Sequence, residues 1–225
     1  MAKMIILFII SLAGALMNIV INVLGIKLEI PLFLDTIMTV SVTLLCGLPW
    51  GALCGALSNI IGHSLWFWGW EGYLFALCNI ATAWITWMFI RFFPKELNLI
   101  PGGLLQEQVE YVRSSRLSWI MDRIIALILL SFALCIGMSV LGGLISVFIQ
   151  IINPAHINEP GRYALLGRTL FDENSPAVVV EILSRIPVNI VDRLIASFAG
   201  YGIAIGLNRG LRSRIFSMIR VSSAR

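Results

Sequence analysis

The stretch Ile124–Gln150, IIALILLSFALCIGMSVLGGLISVFIQ, contains no charged side chain. Wound as a helix at 1.5 Å per residue it reaches about 40 Å, more than the ~30 Å hydrocarbon core of a bilayer. It reads as a membrane-spanning helix, and the rest of the chain sorts around it. Met4–Ile26, Thr36–Trp70 and Gly72–Ile90 are also free of Asp, Glu, Lys and Arg, and Ile186–Asn208 carries only Asp192 and Arg193. Over all 225 residues, 59% are hydrophobic and 12% charged. That is too little polar surface to cover a soluble fold and too much apolar area for a disordered chain.

The expected fold is an all-α integral membrane protein, a single six-helix transmembrane bundle with approximate spans 4–26, 32–47, 50–68, 73–93, 123–150 and 184–207. Between the second and third spans lies only Gly47-Leu48-Pro49-Trp50-Gly51, a glycine and proline turn that reverses the chain with almost no loop. Both flanking helices are short, so a buried hairpin that does not cross fully is the alternative.

Lys and Arg near the span ends set the orientation. One side holds Lys3, Arg91, Lys95, Arg113, Arg116, Arg123, Arg209, Arg212, Arg214, Arg220 and Arg225; the other holds Lys27, Arg162 and Arg168. The excess predicts both termini in the cytoplasm and a multi-pass protein of the cell membrane. The net charge of +4 is therefore a topology signal rather than a mark of nucleic-acid binding. The basic tail 208–225 suits anionic lipid headgroups. Lys3 followed by an apolar run also resembles a secretory leader, but the run continues past Ala13-Gly14-Ala15 to Ile26, long enough to span.

Few segments lie outside the spans. Pro94–Asp122 mixes charge with Leu104, Val109, Val112 and Leu117, as a short interfacial helix does. The external segment 153–183 carries His156, Asn158, Glu159, Arg162, Tyr163, Arg168, Asp172, Glu173 and Asn174, and is long enough to cap a site. There is no HExxH, GxSxG or Walker-type glycine loop, so no enzymatic activity, metal or cofactor is expected. The cysteines Cys46, Cys54, Cys78 and Cys135 fall inside spans without CxxC spacing and read as small apolar core residues.

Two regions are candidates for binding. After the third span, Trp66, Phe67, Trp68, Trp70 and Tyr73 crowd together with Asn59, His63 and Glu71 nearby. They form either an interfacial aromatic belt or a stacking platform for a flat heterocycle whose edge is hydrogen-bonded by Asn59, His63 and Glu71. In the sixth span Arg185, Asn189 and Asp192 share one helical face beside Arg193, with Asp35 a candidate partner for Arg185 or Arg193. Charges that deep make either a packing salt bridge or a ligand-facing cluster. Asn79, Thr82 and Thr86 form a weaker polar face in the fourth span, suited to bonds between helices. Small residues mark close approach, within the bundle or to another membrane protein: Gly51, Gly55, Ser58 and Gly62 in the third span, Ala196, Gly200 and Ala204 beside Gly202 and Gly206 in the sixth, Ser11 and Ala15 in the first.

Pro31-Leu32-Phe33-Leu34-Asp35-Thr36 entering the second span, followed by the run Gly47–Gly62 (GLPWGALCGALSNIIG), resembles the substrate-binding S component of energy-coupling-factor (ECF) vitamin transporters and the related membrane sensor domains of histidine kinases. Most of the chain is covered. The resemblance implies high-affinity capture of a water-soluble vitamin or related heterocycle at the outer face. It also implies partnership with a coupling transmembrane subunit and two ATPase subunits, and toppling of the S component in the membrane. The implied pocket takes in His63, Trp66, Trp68, Glu71, Asn189 and Asp192; the aromatic residues favour a ring-bearing solute, and Arg162, Arg168 and Arg185 admit an anionic group. The family's alanine-x-x-x-alanine docking pattern on the first helix is absent in strict form, Ser11 and Ala15 being the nearest substitute. A membrane sensor or scaffold, and a stand-alone secondary transporter, are the alternatives.

Overall fold

The structure is a computed structural model; it describes residues 2–66, 70–97, 116–153 and 175–222, and over these it is all-helical. α1 (Ala2–Lys27) matches the first expected span. It ends in a paired-bond cap: the Ile30 amide donates to the Gly25 carbonyl at 2.9 Å and the Glu29 amide to that of Ile26 at 3.1 Å. Glu29 sits there in the left-handed region, φ 55, the position such a cap demands and glycine more often fills.

The second expected span is shortened. α2 is only Ile37–Cys46, about 15 Å of helix and half of a bilayer core. Residues 28–36 are irregular: Pro31 cannot continue a helix, and Leu34 is a second left-handed residue, φ 52. α2 and α3 (Leu48–Trp66) are joined by Gly47 alone. Gly47 adopts φ 87, ψ 177, a conformation essentially restricted to glycine, so the expected five-residue turn contracts to one. Pro49 falls in the first turn of α3, where no intrahelical amide is lost.

A 3-10 turn, Trp70–Phe75, leads into α4 (Ala76–Phe92), and α5 (Pro94–Leu97) follows. α6 (Arg116–Ile152), α7 (Ala177–Leu183) and α8 (Ile186–Ser222) complete the described chain. Among the described residues four segments are long and apolar enough to cross a membrane: Lys3–Lys27, Trp70–Phe92, Ile120–Ile152 and Ala177–Asn208. They answer to four of the six expected spans. α6 and α8 run past their expected ends because an apolar run marks where a helix meets hydrocarbon, not where it stops.

Two expected non-membrane segments change accordingly. Residues 98–115 of the interfacial stretch lie outside the described residues; α5 is its helical start, and Arg116–Asp122 begins α6. Residues 154–174 of the expected capping loop, with His156, Arg162 and Arg168, also lie outside them. The end of that loop is α7, packed on α6 so closely that a Cβ on Gly143 would lie 2.6 Å from Ile182. α7 passes into α8 through Ser184–Arg185, a break explained by Pro187, whose ring excludes the carbonyl four residues back.

α2 is the hub. Eight of its residues are buried: Ile37, Thr39, Val40, Ser41, Val42, Thr43, Leu44 and Leu45. Leu44 and Leu45 pack with Ile90, Leu97, Leu127, Leu130, Leu134 and Ala204 in the main core, while Val42 packs with Ala15 and Cys54. The outward faces carry large apolar residues such as Ile5, Ile9, Trp84, Phe132, Ile136 and Phe148, the surface a lipid environment requires.

Ser11 and Ala15 are both fully buried within the bundle. Ser11 Oγ donates to the Trp50 carbonyl at 3.1 Å, and Ala15 packs on α2 and α3. The other small residues mostly face inward as well. Gly51 makes room for Thr43; a Cβ on Gly55 would lie 2.8 Å from the Asn79 carbonyl, and one on Gly200 2.8 Å from that of Ile37. Gly202 and Gly206 have nothing within 4 Å.

Candidate functional site

The irregular segment before α2 is fastened from both sides by polar side chains, Asn18 and Asp192 buried and Asn22 partly so. From α1, Asn18 accepts the Met38 amide at 2.8 Å and donates to Thr39 Oγ1 at 3.1 Å, while Asn22 donates to the Phe33 carbonyl. Asn18 therefore caps the first turn of α2 from a neighbouring helix, a task usually done by the residue at the cap itself. From α8, Asp192 Oδ1 accepts the Leu34 amide at 2.8 Å. Irregular backbone in an apolar bundle persists only where its polar groups are met in this way, and the Asp192 bond falls on the left-handed residue.

Asp192 is fully buried and Arg193 nearly so. Arg193 Nη1 donates to Thr36 Oγ1, which accounts for the absence of a side-chain cap from Thr36 to its own helix. Arg193 Nη2 lies 3.2 Å from Asp192 Oδ2 and 4.0 Å from Asp35 Oδ1. Asp35 thus pairs with Arg193 rather than Arg185. Both oxygens are buried and make no hydrogen bond, as is also true of Arg193 Nε; the 3.2 Å approach is an ionic contact without hydrogen-bond alignment. The Asn79 carboxamide on α4 faces Asp35 and reaches Ser58 Oγ on α3 at 3.5 Å.

Arg185, just before α8, and Asn189 within it turn toward α6. Asn189 donates to Ser139 Oγ at 2.9 Å. Arg185 donates to Ser146 and, at 3.2 Å, to Glu181 on α7, and its guanidinium stands 5.9 Å from the Phe75 ring centroid. Gln150 binds the other Glu181 oxygen at 2.8 Å. The expected shared face of Arg185, Asn189 and Asp192 is present. Its first two members join helices, and only Asp192 enters the cluster at the start of α2.

The aromatic region is a separate neighbourhood. His63 meets Tyr73 edge-on with ring centroids 6.0 Å apart and lies against Gly72, where a Cβ would collide with the imidazole. Tyr73 Oη and Ser64 Oγ are 3.0 Å apart. Glu71 is buried and accepts from Asn153 at the end of α6 at 2.9 Å. Trp70 and Tyr73 are exposed, the disposition of an interfacial belt. Trp68 and the Trp66 side chain lie outside the described residues. His63 is within electrostatic reach of Asp35, a link between this turn and the ionic cluster. Asn59 on α3 has a buried oxygen without a hydrogen bond.

Sequence reasoning missed Asn18, Asn22, Thr36, Ser139 and Ser146. The first two left a trace: two asparagines one turn apart in an otherwise apolar helix. A depression of about 460 Å³ lined by Leu48, Ala52, Leu77, Ile80, Ala81, Trp84 and Leu141 lies on the apolar exterior, away from the cluster. Chemically, the cluster offers two carboxylate oxygens and one guanidinium N–H to a polar group brought among the helices.

Fold and site together define a helical bundle of membrane-protein type with a buried ionic cluster at a break in its secondary structure. No protein-family model, curated protein or solved structure matches the chain.

Proposed function

We propose that the chain is the membrane-embedded substrate-binding subunit of an ECF-type importer, capturing a water-soluble vitamin or related heterocycle for uptake with a coupling subunit and two ATPases. The observation that carries this reading is the ionic cluster of Asp35, Asp192 and Arg193 beneath an irregular segment, with buried oxygens left without hydrogen bonds. Buried polar groups are ordinarily satisfied, and intramembrane ionisable residues mark solute paths by default. Asp35, Asn79 and Asp192 are the residues proposed to meet the solute, and Arg185 and Asn189 hold the start of α8 to α6 beside them.

In this reading the protein is a multi-pass protein of the cytoplasmic membrane with both termini inside. The α2–α3 hairpin enters and leaves on the same side whether or not it crosses fully, so four spans or six give the same parity. The excess of Lys and Arg beside the terminal ends then sets the orientation.

The test is binding of the purified full chain to a panel of water-soluble vitamins, followed by reconstitution alone in liposomes. One member binding tightly, with no uptake by the chain alone, is the expected outcome. Binding to none sinks the proposal, and gradient-driven uptake by the chain alone replaces it with secondary transport. A second reading, a sensor related to kinase membrane domains, is favoured by α8, whose helix continues past the apolar stretch ending at Asn208 to Ser222. A helix continuous from Asp192 to Ser222 is a means of passing occupancy onward.

A further inference from the structure

We infer that the lipid-facing side of α3, α4 and α6 holds one anionic phospholipid, an acyl chain in the depression beside Trp84 and the phosphate on Arg91. This requires only that the bundle is embedded in lipid and is independent of the importer reading.

The hollow comes first. Ala52 on α3 and Ala81 on α4 are the small residues of its lining, flanked by Leu77, Ile80 and Trp84, and it measures about 460 Å³. The three flanking side chains are exposed, so in a membrane the hollow opens to lipid. Left empty, an apolar recess forfeits the dispersion contacts of its lining. A hydrocarbon chain fills it without bringing a polar group.

The headgroup follows from the same helix. Leu77, Trp84 and Arg91 succeed one another at intervals of seven residues, two turns, and so share one stripe of α4. Arg91 stands about 10 Å along the axis from Trp84, one residue before the apolar span ends at Phe92, where hydrocarbon gives way to headgroups. Its guanidinium carbon lies 4.6 Å from the centroid of the Trp87 ring. Arg185 and Arg193 each have a carboxylate at 3.2 Å; Arg91 has none among the described residues. The ring face steadies the guanidinium and leaves its N–H edge to donate to phosphate oxygens. A partner helix would have to bring an acid to that depth, whereas a bilayer supplies phosphate there in excess. A zwitterionic headgroup sets its own cation beside Arg91, so a net negative lipid is favoured.

The full chain in mild detergent is titrated with dioleoyl phosphatidylglycerol or dioleoyl phosphatidylcholine, whose acyl chains are identical. Retained lipid is read by native mass spectrometry, and folding by the lipid-free unfolding midpoint. One phosphatidylglycerol per chain is expected, retained about fivefold more strongly than phosphatidylcholine. Arg91→Gln, at an exposed position, is expected to remove that preference with the midpoint unchanged, and Arg91→Lys to keep most of it. Ala81→Phe fills the hollow and is expected to lower retention of both lipids; Ala52→Leu fills it from α3 should Ala81→Phe not fold. Equal retention of the two lipids by wild type overturns the inference, as does retention indifferent to Arg91→Gln or to filling the hollow. The same loss from Lys27→Gln, an exposed cation at the end of α1, would make the effect one of general surface charge and overturn it too. So would a wild-type chain that retains no lipid and pairs with a second copy through this face.

Discussion

The two ends of α2 are held by different physics. At the Cys46 end Leu44 and Leu45 sit among Ile90, Leu97, Leu127, Leu130 and Leu134, an apolar core filled by shape. At the Ile37 end Asn18, Asn22, Asp192 and Arg193 reach in from α1 and α8 to hold irregular backbone and the first helical turn. In lipid, helices gain no hydrophobic transfer energy from packing on one another, so close packing and interhelical hydrogen bonds decide their arrangement. The apolar end needs only complementary volume. The polar end buries charge, which apolar packing of the same volume would make unnecessary for stability alone, and this difference is why the proposed solute site is put at the Ile37 end.

Substitutions sharpen or break the contrast. Asp192→Ala is expected to have the largest effect, about 3–5 kcal/mol of lost stability by reversible unfolding in detergent, because Arg193 stays buried without its partner and the Leu34 amide loses its acceptor. A loss below about 1 kcal/mol, within the range of an exposed pair, would erase the distinction between the ends.

Gly200→Leu comes next. A Cβ there would sit 2.8 Å from the Ile37 carbonyl and 3.0 Å from Val40, and overpacking of this kind costs about 1–3 kcal/mol. Gly202→Leu on the same helix, with nothing within 4 Å, is expected to leave the unfolding midpoint unchanged. Equal effects of the two would mean that α8 does not present this face to α2.

Asn18→Leu removes the remote cap and leaves the Met38 amide without its acceptor, a loss of about 1–3 kcal/mol. Hydrogen exchange should rise first at Met38 and Thr39, and exchange spread evenly over α2 would contradict the capping role. At the other end, Leu130→Ala opens a cavity without the transfer penalty it would carry in water. A cost of about 1–2 kcal/mol is expected, below the 2–5 of soluble cores, with solute binding intact.

Leu34→Gly gives the smallest change. It relieves a left-handed leucine worth about 1–2 kcal/mol but makes the unfolded chain more flexible, so a net shift within about 1 kcal/mol is expected. Leu34→Val, branched at Cβ, should destabilise by thermal unfolding. If valine is tolerated as well as glycine, the left-handed conformation is not a constraint.

How much was legible in the sequence follows the same division. Charge-free runs located α1, α4 and α6, and a run with a single charged pair located α8, because a helix that must meet lipid shows its length in composition. The expected span 32–47 failed over 32–36, where Asn18, Asn22 and Asp192, distant in sequence, supply the bonds a helix would have supplied itself. Asp192 and Arg193 stood out as deep charges, and Asp35 was named as a partner from its place at the mouth of the same span. Ser11 and Ala15 announced close approach but not its direction, since a small side chain admits a neighbour on either side; both are buried within the bundle. Ser139 left no trace, hydroxyls being common in apolar helices, and Thr36 stood in the quoted stretch Pro31–Thr36 with nothing to announce its bond to Arg193.

Native mass spectrometry of the full chain released from mild detergent tests the cluster most directly as a solute site. Wild-type protein is expected to retain one small-molecule adduct that Asp192→Asn protein, checked for folding by circular dichroism, does not. An adduct retained equally by both, or none on either, would contradict it.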